Sequence, residues 1–310
     1  MSEKKGNFSG SLLAVLAKGA KLMKFIKVFK VAKPILTFVS MSVSMIAYAF
    51  WLGPWFAVLF TLLLFVHEMG HVAAMRMKGL GTPSPVFIPF LGAAIFSPKF
   101  ENRHDEAFVG FGGPLLGTVA ALAVFGMYFL VPTTSTFSPI LLAASYMGIY
   151  LNLFNLIPMS PLDGGRVTQA VGQWFKYIGL ILLASFSLMF KSPVILFIWI
   201  LVLNDLSMIP IKIRVGLMAL LDVAMVVLMF MGYSTQPWWL DTIDAIFASL
   251  FVGLRLVQIF VHDYDEEEDT RPDLPREKRS MWLILYLGLA VLLLCTIMIQ
   301  IQYMPQHLHK

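Results

Sequence analysis

The chain has 310 residues, 58% of them apolar and only 13% charged, whereas soluble domains run at ~45–50% apolar and ~25% charged. Such a composition cannot cover a water-exposed surface, and it excludes a cytosolic enzyme and an intrinsically disordered chain. A secreted disulfide scaffold is excluded as well, since Cys295 is the only cysteine. The net charge of +5 does not indicate nucleic acid as a partner, because the lysines fall just before and between apolar runs, where they report membrane orientation. The expectation is an all-α polytopic membrane protein forming one integral membrane domain over 1–310.

In chain order, residues 1–33 read as a basic cytoplasmic segment. No cleavable signal peptide is expected, since the first apolar stretch is interrupted by Lys18, Lys21, Lys24, Lys27, Lys30 and Lys33. At a period of three the charges spiral around a helix, so they read first as a polybasic topogenic flank and second as a contact for anionic lipid. Beyond Lys33, apolar runs bounded by Pro, Gly and charge predict spans near 35–52, 54–77, 106–131, 138–157, 169–190, 193–210, 215–232, 243–261 and 281–303. The pair 169–190 and 193–210 is also compatible with a helical hairpin. With the N-terminus in the cytoplasm, 21 of the 23 basic residues fall on the cytoplasmic side, as the positive-inside rule requires. Residues 262–280 form the longest clearly polar stretch, and the acidic run Asp263–Asp269 within it lacks the alternating ligands and Gly of a calcium loop.

The second span contains His67-Glu68-Met69-Gly70-His71. Residues four apart on a helix lie about 40° apart and one turn along, so both imidazoles can reach one Zn²⁺. Glu68 projects to the same side, where a carboxylate can take a proton from water. Two histidines and a glutamate within a span are costly in lipid and are expected to face a bundle interior or a watery cavity. A catalytic zinc site needs a third protein ligand and one open position. Cys295 is remote, and His104, His262, His307 and His309 are assigned to loops or the tail. Asp163 is the better candidate, in Asn155-Leu-Ile-Pro-Met-Ser-Pro-Leu-Asp163-Gly-Gly165. Span four should deliver it to the cytoplasmic end, and His71 lies ~8 Å below that end. Pro158 and Pro161 should break the helix, with Gly164 and Gly165 allowing the turn that aims the carboxylate inward.

With HEMGH at 67–71, FGGPLLG at 111–117 and NLIPMSPLDGG at 155–165, the chain resembles the site-2 protease family of intramembrane zinc metalloproteases. The resemblance covers a three-span core over 54–166, followed by additional spans over 167–310. It implies one zinc ion held by His67, His71 and Asp163, Glu68 as general base, and Asn155 holding the substrate peptide or its developing oxyanion. It further implies that the proline-broken apolar segment 85–96 forms a short membrane-dipping β-hairpin whose edge pairs with an unwound substrate. A PDZ-like insertion and the C-terminal nucleotide-binding repeats of some family branches are not seen. The implied activity is hydrolysis of peptide bonds in or near transmembrane segments of membrane-protein substrates, in a bacterial cytoplasmic membrane. Two rivals come from other classes. A zinc transporter or zinc-sensing protein predicts further polar groups along a path to the opposite face, for which Asp205 and Asp222 are the only obvious extras. A catalytically inert binder of membrane segments would have no use for Glu68.

Overall fold

The computed structural model describes residues 32–89, 92–95, 99–189, 210–231 and 270–304, with a few positions between them. The lysine series at 18–30, most of the expected spans 193–210 and 243–261, and the acidic run 263–269 lie outside the described residues. Eight helices and one two-stranded sheet are described: α1 (Ala32–Leu52), α2 (Pro54–Met77), β1 (Val86–Ile88), β2 (Gly92–Ala94), α3 (Arg103–Tyr128), α4 (Phe137–Asn155), α5 (Asp163–Val171), α6 (Phe175–Met189), α7 (Ile211–Phe230) and α8 (Arg276–Tyr303). Five of them, α1 from Pro34, α2, α3, α4 and α8, are long and apolar enough to cross a membrane. The chain is an integral membrane protein.

Local sequence sets the helix ends. Pro54 opens α2 after Gly53, whose φ of 85° turns the chain out of α1. At the other end Gly79, at φ 71°, closes a Schellman motif: its N–H donates to the Arg76 carbonyl at 3.1 Å, and that of Leu80 donates to Met75 at 2.9 Å. Asn102 caps α3 by accepting from the Asp105 N–H at 2.8 Å, with Asp105 and Glu106 in the favourable first turn.

Helices α2, α3 and α4 pack around one core, with α5 against α3. The contact between α2 and α3 is close because neither side has a side chain in the way. A Cβ on Gly70 would fall on the Gly112 backbone, and a Cβ on Gly112 would lie 2.7 Å from the Gly70 carbonyl oxygen. In lipid, where burial of apolar surface drives nothing, such small-residue contacts are what hold helices together. Strands β1 and β2 pair antiparallel with Phe87 opposite Ala93. Their attachment runs through α1: Thr37 Oγ1 donates to the Pro85 carbonyl at 2.7 Å, and the Phe87 N–H donates to Ser40 Oγ at 3.1 Å.

Helix α8 straps the core from outside. Its Tyr286 hydroxyl donates to the Leu156 carbonyl, Trp282 Nε1 donates to His104 Nδ1 at 3.0 Å, and Gln300 donates to Ser145 at 2.7 Å. Just before it, Asp273 accepts from Arg103 and from Arg279, and Arg271 pairs with Glu106 at 2.8 Å.

Three sequence expectations need correction. The continuous span 169–190 is two pieces, because Gly172 at φ 137° ends α5 and a turn separates it from α6. His104 belongs to the first turn of α3 and not to a loop. Gly164 and Gly165 do not turn the chain: neither has positive φ, and both lie in the first turn of α5. They are required for space, since a Cβ on either would overlap the backbone of Leu156–Ser160.

Candidate metal centre

The α2 helix places His67 and His71 one turn apart, both buried, with ring centroids 5.0 Å apart and ring planes at 78°. Asp163 arrives from a different part of the chain. After α4 ends, the segment 156–162, interrupted by Pro158 and by Pro161 with its cis peptide bond, reverses the chain and starts α5 at Asp163. Its carboxylate stands 3.1 Å from His67 Nε2 through Oδ2 and 3.2 Å from His71 Nε2 through Oδ1. The two Nε2 atoms are 3.3 Å apart.

The outer nitrogens of both rings are engaged. His71 Nδ1 lies 2.7 Å from the Val109 carbonyl oxygen, which can only accept, so this nitrogen carries the proton. His67 Nδ1 lies 2.8 Å from Asn152 Oδ1. The Asn152 amide is oriented by its own Nδ2, which donates to the Gly148 carbonyl at 2.7 Å, so Oδ1 is the accepting atom. With both protons on Nδ1, the neutral imidazoles direct two Nε2 lone pairs toward each other and toward a carboxylate. Such a set is mutually repulsive unless a cation sits among its members. Ligand atoms ~2.0–2.2 Å from a tetrahedral zinc stand about 3.3–3.6 Å from one another. The observed separations of 3.1–3.3 Å are within a few tenths of that, and three protein ligands leave the fourth position open. The residues fit a zinc ion. Among the described residues this is the one group of three or more His, Cys, Asp or Glu side chains with ligand atoms so close together.

The packing of α3 supports this arrangement from behind. Gly113 lies directly against the His71 imidazole, where a Cβ would overlap the ring, and Gly117 lies against the Asn152 amide. Glu68 is buried on the same side of α2 and, with His67, His71, Asp163 and Asn155, lines a cavity of about 690 Å³. Tyr48 and Trp51 of α1, Tyr150 and Phe154 of α4, and Ala93 and Ile95 at the sheet form other parts of the wall. Pro161, Leu162 and Arg166 border this cavity and also a second, polar one of about 370 Å³ that includes Lys99, Phe100 and Glu106.

The structure thus brings together all five residues singled out in the sequence: His67, Glu68, His71 and Asp163 in one cluster, and Asn155 on the wall of its cavity. Sequence reasoning missed Asn152, the Val109 carbonyl and Arg166. Asn152 carried a usable signal, being an amide in an apolar span and one turn from Asn155, whereas a backbone carbonyl carries none.

No protein-family model matches the chain. Sequence similarity to curated proteins covers part of it. A zinc metalloprotease of Methanocaldococcus jannaschii is 29% identical over 118 residues, 37% of this chain and 34% of that protein. A Synechocystis protein carrying the zinc metalloprotease name is 33% identical over 124 residues, 38% of this chain and 32% of that protein. Rip3 of Mycobacterium tuberculosis, also named as a zinc metalloprotease, is 28% identical over 129 residues. The chain spans about a third of the length of these relatives. Among solved structures, the site-2 protease of Methanocaldococcus jannaschii aligns over 76% of this chain and 92% of its own, at 19% identity and a TM-score of 0.38. The similarity in sequence is to proteins that carry the zinc metalloprotease name.

Proposed function

We propose that the chain is an intramembrane zinc metalloendopeptidase that hydrolyses peptide bonds in or near transmembrane segments of membrane-protein substrates. The observation that carries this reading is the convergence of two imidazole lone pairs and the Asp163 carboxylate at one point, beside the buried carboxylate of Glu68, in a cavity large enough for a stretch of peptide. His67, His71 and Asp163 hold one zinc ion per chain. When bound there, zinc supplies Lewis acidity, which polarises a carbonyl oxygen and acidifies water.

Glu68 is the general base. It accepts a proton from the water whose oxygen attacks the scissile carbonyl carbon, then passes that proton to the departing nitrogen as the C–N bond breaks. The products are a new carboxylate and a new amine. A helical substrate hides its carbonyls in its own hydrogen bonds, so it must unwind locally before attack. β2 borders the cavity through Ala93, and in the membrane-dipping hairpin it offers an edge on which the unwound segment pairs as an added strand. Asn155 on the cavity wall donates to the substrate carbonyl. Water reaches the site from the cytoplasmic side through the polar cavity beyond Arg166. The cytoplasmic orientation rests on the positive-inside bias, the bacterial cytoplasmic membrane on the family resemblance, and contact with anionic lipid on the lysine series at 18–33.

The zinc-transporter reading draws no support from a second ligand cluster among the described residues; Asp222 accepts from the Ser249 hydroxyl at 3.1 Å, and Asp205 lies outside the described residues. The test compares purified wild type with Glu68→Gln for cleavage of a panel of membrane peptides, with zinc content measured on both. Zinc-dependent cleavage lost in the variant supports the protease. Zinc flux across vesicles without cleavage by the wild type overturns it.

A further inference from the structure

Neither ring nitrogen of His67 is left to chance, and the residue responsible for one of them is not part of the ligand set. Asn152 is buried in α4, 2% exposed, and meets His67 Nδ1 at 2.8 Å through Oδ1. A neutral imidazole carries its proton on either nitrogen, and only the form with the proton on Nδ1 offers Nε2 to a metal. An acceptor at Nδ1 therefore selects the binding form and fixes the ring's rotation. Asn152 qualifies as that acceptor because its amide cannot flip without cost: Nδ2 donates to the Gly148 carbonyl at 2.7 Å, and flipping would set Oδ1 against that carbonyl oxygen.

The surroundings make room for this amide. Gly117 of α3 faces it so closely that a Cβ there would lie 2.9 Å from Nδ2 and nearer still to Oδ1. His71 receives the equivalent service from the Val109 carbonyl, which no side-chain substitution removes. The device for His67 is a side chain, and so it can be tested.

We propose that Asn152 is a positioning residue for the metal centre: it holds His67 in the Nδ1-protonated form, with Nε2 facing His71 and Asp163. This inference rests on the metalloprotease reading of the site and extends it to a residue outside the ligand set. Partners of this kind typically account for 10–100-fold in metal affinity. A merely structural amide would bridge helices and leave the metal alone.

The experiment measures zinc affinity of the full-length purified protein by chelator competition, the absorption spectrum of the cobalt-loaded form, and the melting temperature without metal. Asn152→Ala is expected to bind zinc 10–100-fold more weakly and to shift the cobalt bands. Asn152→Asp loses the bond to Gly148 but keeps an acceptor for the His67 N–H, and it is expected to bind within about threefold of wild type, since metal-bound histidines commonly donate to carboxylates. Gly117→Ala, which displaces the amide, is expected to behave like Asn152→Ala. A lowered melting temperature with wild-type zinc affinity and cobalt spectrum in Asn152→Ala overturns the proposal. So does an Asn152→Asp variant that binds zinc at least tenfold more weakly, and this second result decides the matter even where the alanine variant fails to fold. A wild type that takes up no zinc overturns the protease reading itself, whereas wild-type uptake with an indifferent Asn152→Ala overturns this inference alone.

Discussion

Replacing Gly113 with Ala puts one methyl group where the structure has no room for it. An ideal Cβ at this position lies 2.7 Å from His71 Cδ2 and closer to Nε2 and Cε1. Ordinary carbon contacts begin near ~3.5 Å, so the ring or the helix must yield by about 1 Å. A flexible side chain would simply swing away, but the His71 ring is anchored by its Nδ1–H donating to Val109 at 2.7 Å. Metal–ligand distances tolerate only about ±0.2 Å, so the displacement removes His71 from an effective position or forces α3 away from α2. Loss of an outer partner alone costs 10–100-fold in metal affinity. Displacement of a ligand belongs at the top of that range or beyond, about 100-fold, which is about 2.7 kcal/mol. The assay is zinc competition on the detergent-purified variant, with turnover measured at saturating zinc. Gly126→Ala is the control: it lies on the same helix with nothing within 4 Å of its Cβ, and it should be neutral or stabilise by up to ~1 kcal/mol. Wild-type zinc affinity in Gly113→Ala would refute the placement of His71 against α3.

Glu68→Gln should lose turnover and keep about one zinc per chain, read by peptide cleavage and metal analysis, because the amide takes no proton while both imidazoles stay in place. Asn155→Ala should lower kcat by ~10²–10³-fold at unchanged zinc content if Asn155 steadies the oxyanion; a lowered melting temperature with normal turnover would make it structural instead. Tyr286→Phe removes the hydroxyl that donates to the Leu156 carbonyl and should cost ~0.6–1.7 kcal/mol in unfolding measurements, the range for such bonds in membrane bundles. Its turnover should fall as well, because the bond fixes the start of the segment that ends in Asp163.

The two histidines and the ends of α2 were legible in the sequence for a shared reason: both are written locally. His67 and His71 are four residues apart on one helix, and Pro54 and Gly79 act on the turns at its ends. The roles of Gly164 and Gly165 were not legible, because a missing side chain serves either a positive φ or a close approach, and only coordinates tell these apart. The break at Gly172 was not read because a single Gly does not by itself end a helix, and only its φ of 137° shows that this one does. Asn152 was passed over in favour of Asn155 because it lies outside the 155–165 motif, and its partner His67 is 85 residues away. Docking of α8 was equally invisible, since its contacts with Leu156 and His104 join positions 130 and 178 residues apart.

Those long-range contacts meet at the same place as the small residues of α2 and α3, which couples the metal centre to the cohesion of the bundle. Gly70 and Gly112 let the two backbones touch. That approach brings the Val109 carbonyl within 2.7 Å of His71 and sets Gly113 against its ring. A larger residue at the interface would separate the helices, and the carbonyl would withdraw from the imidazole it orients. Asp163 is held by comparable means, with Gly164 and Gly165 seated on the 156–160 backbone and Tyr286 bonded to its first carbonyl. In water a core could compensate for such a loss through apolar burial elsewhere, but in lipid association depends on close packing and interhelical hydrogen bonds. The contacts that hold these helices together are therefore also the ones that set the distances among His67, His71 and Asp163. Metal affinity and bundle stability should respond together to changes at this interface, and separately only where a side chain such as Asn152 touches a ligand directly.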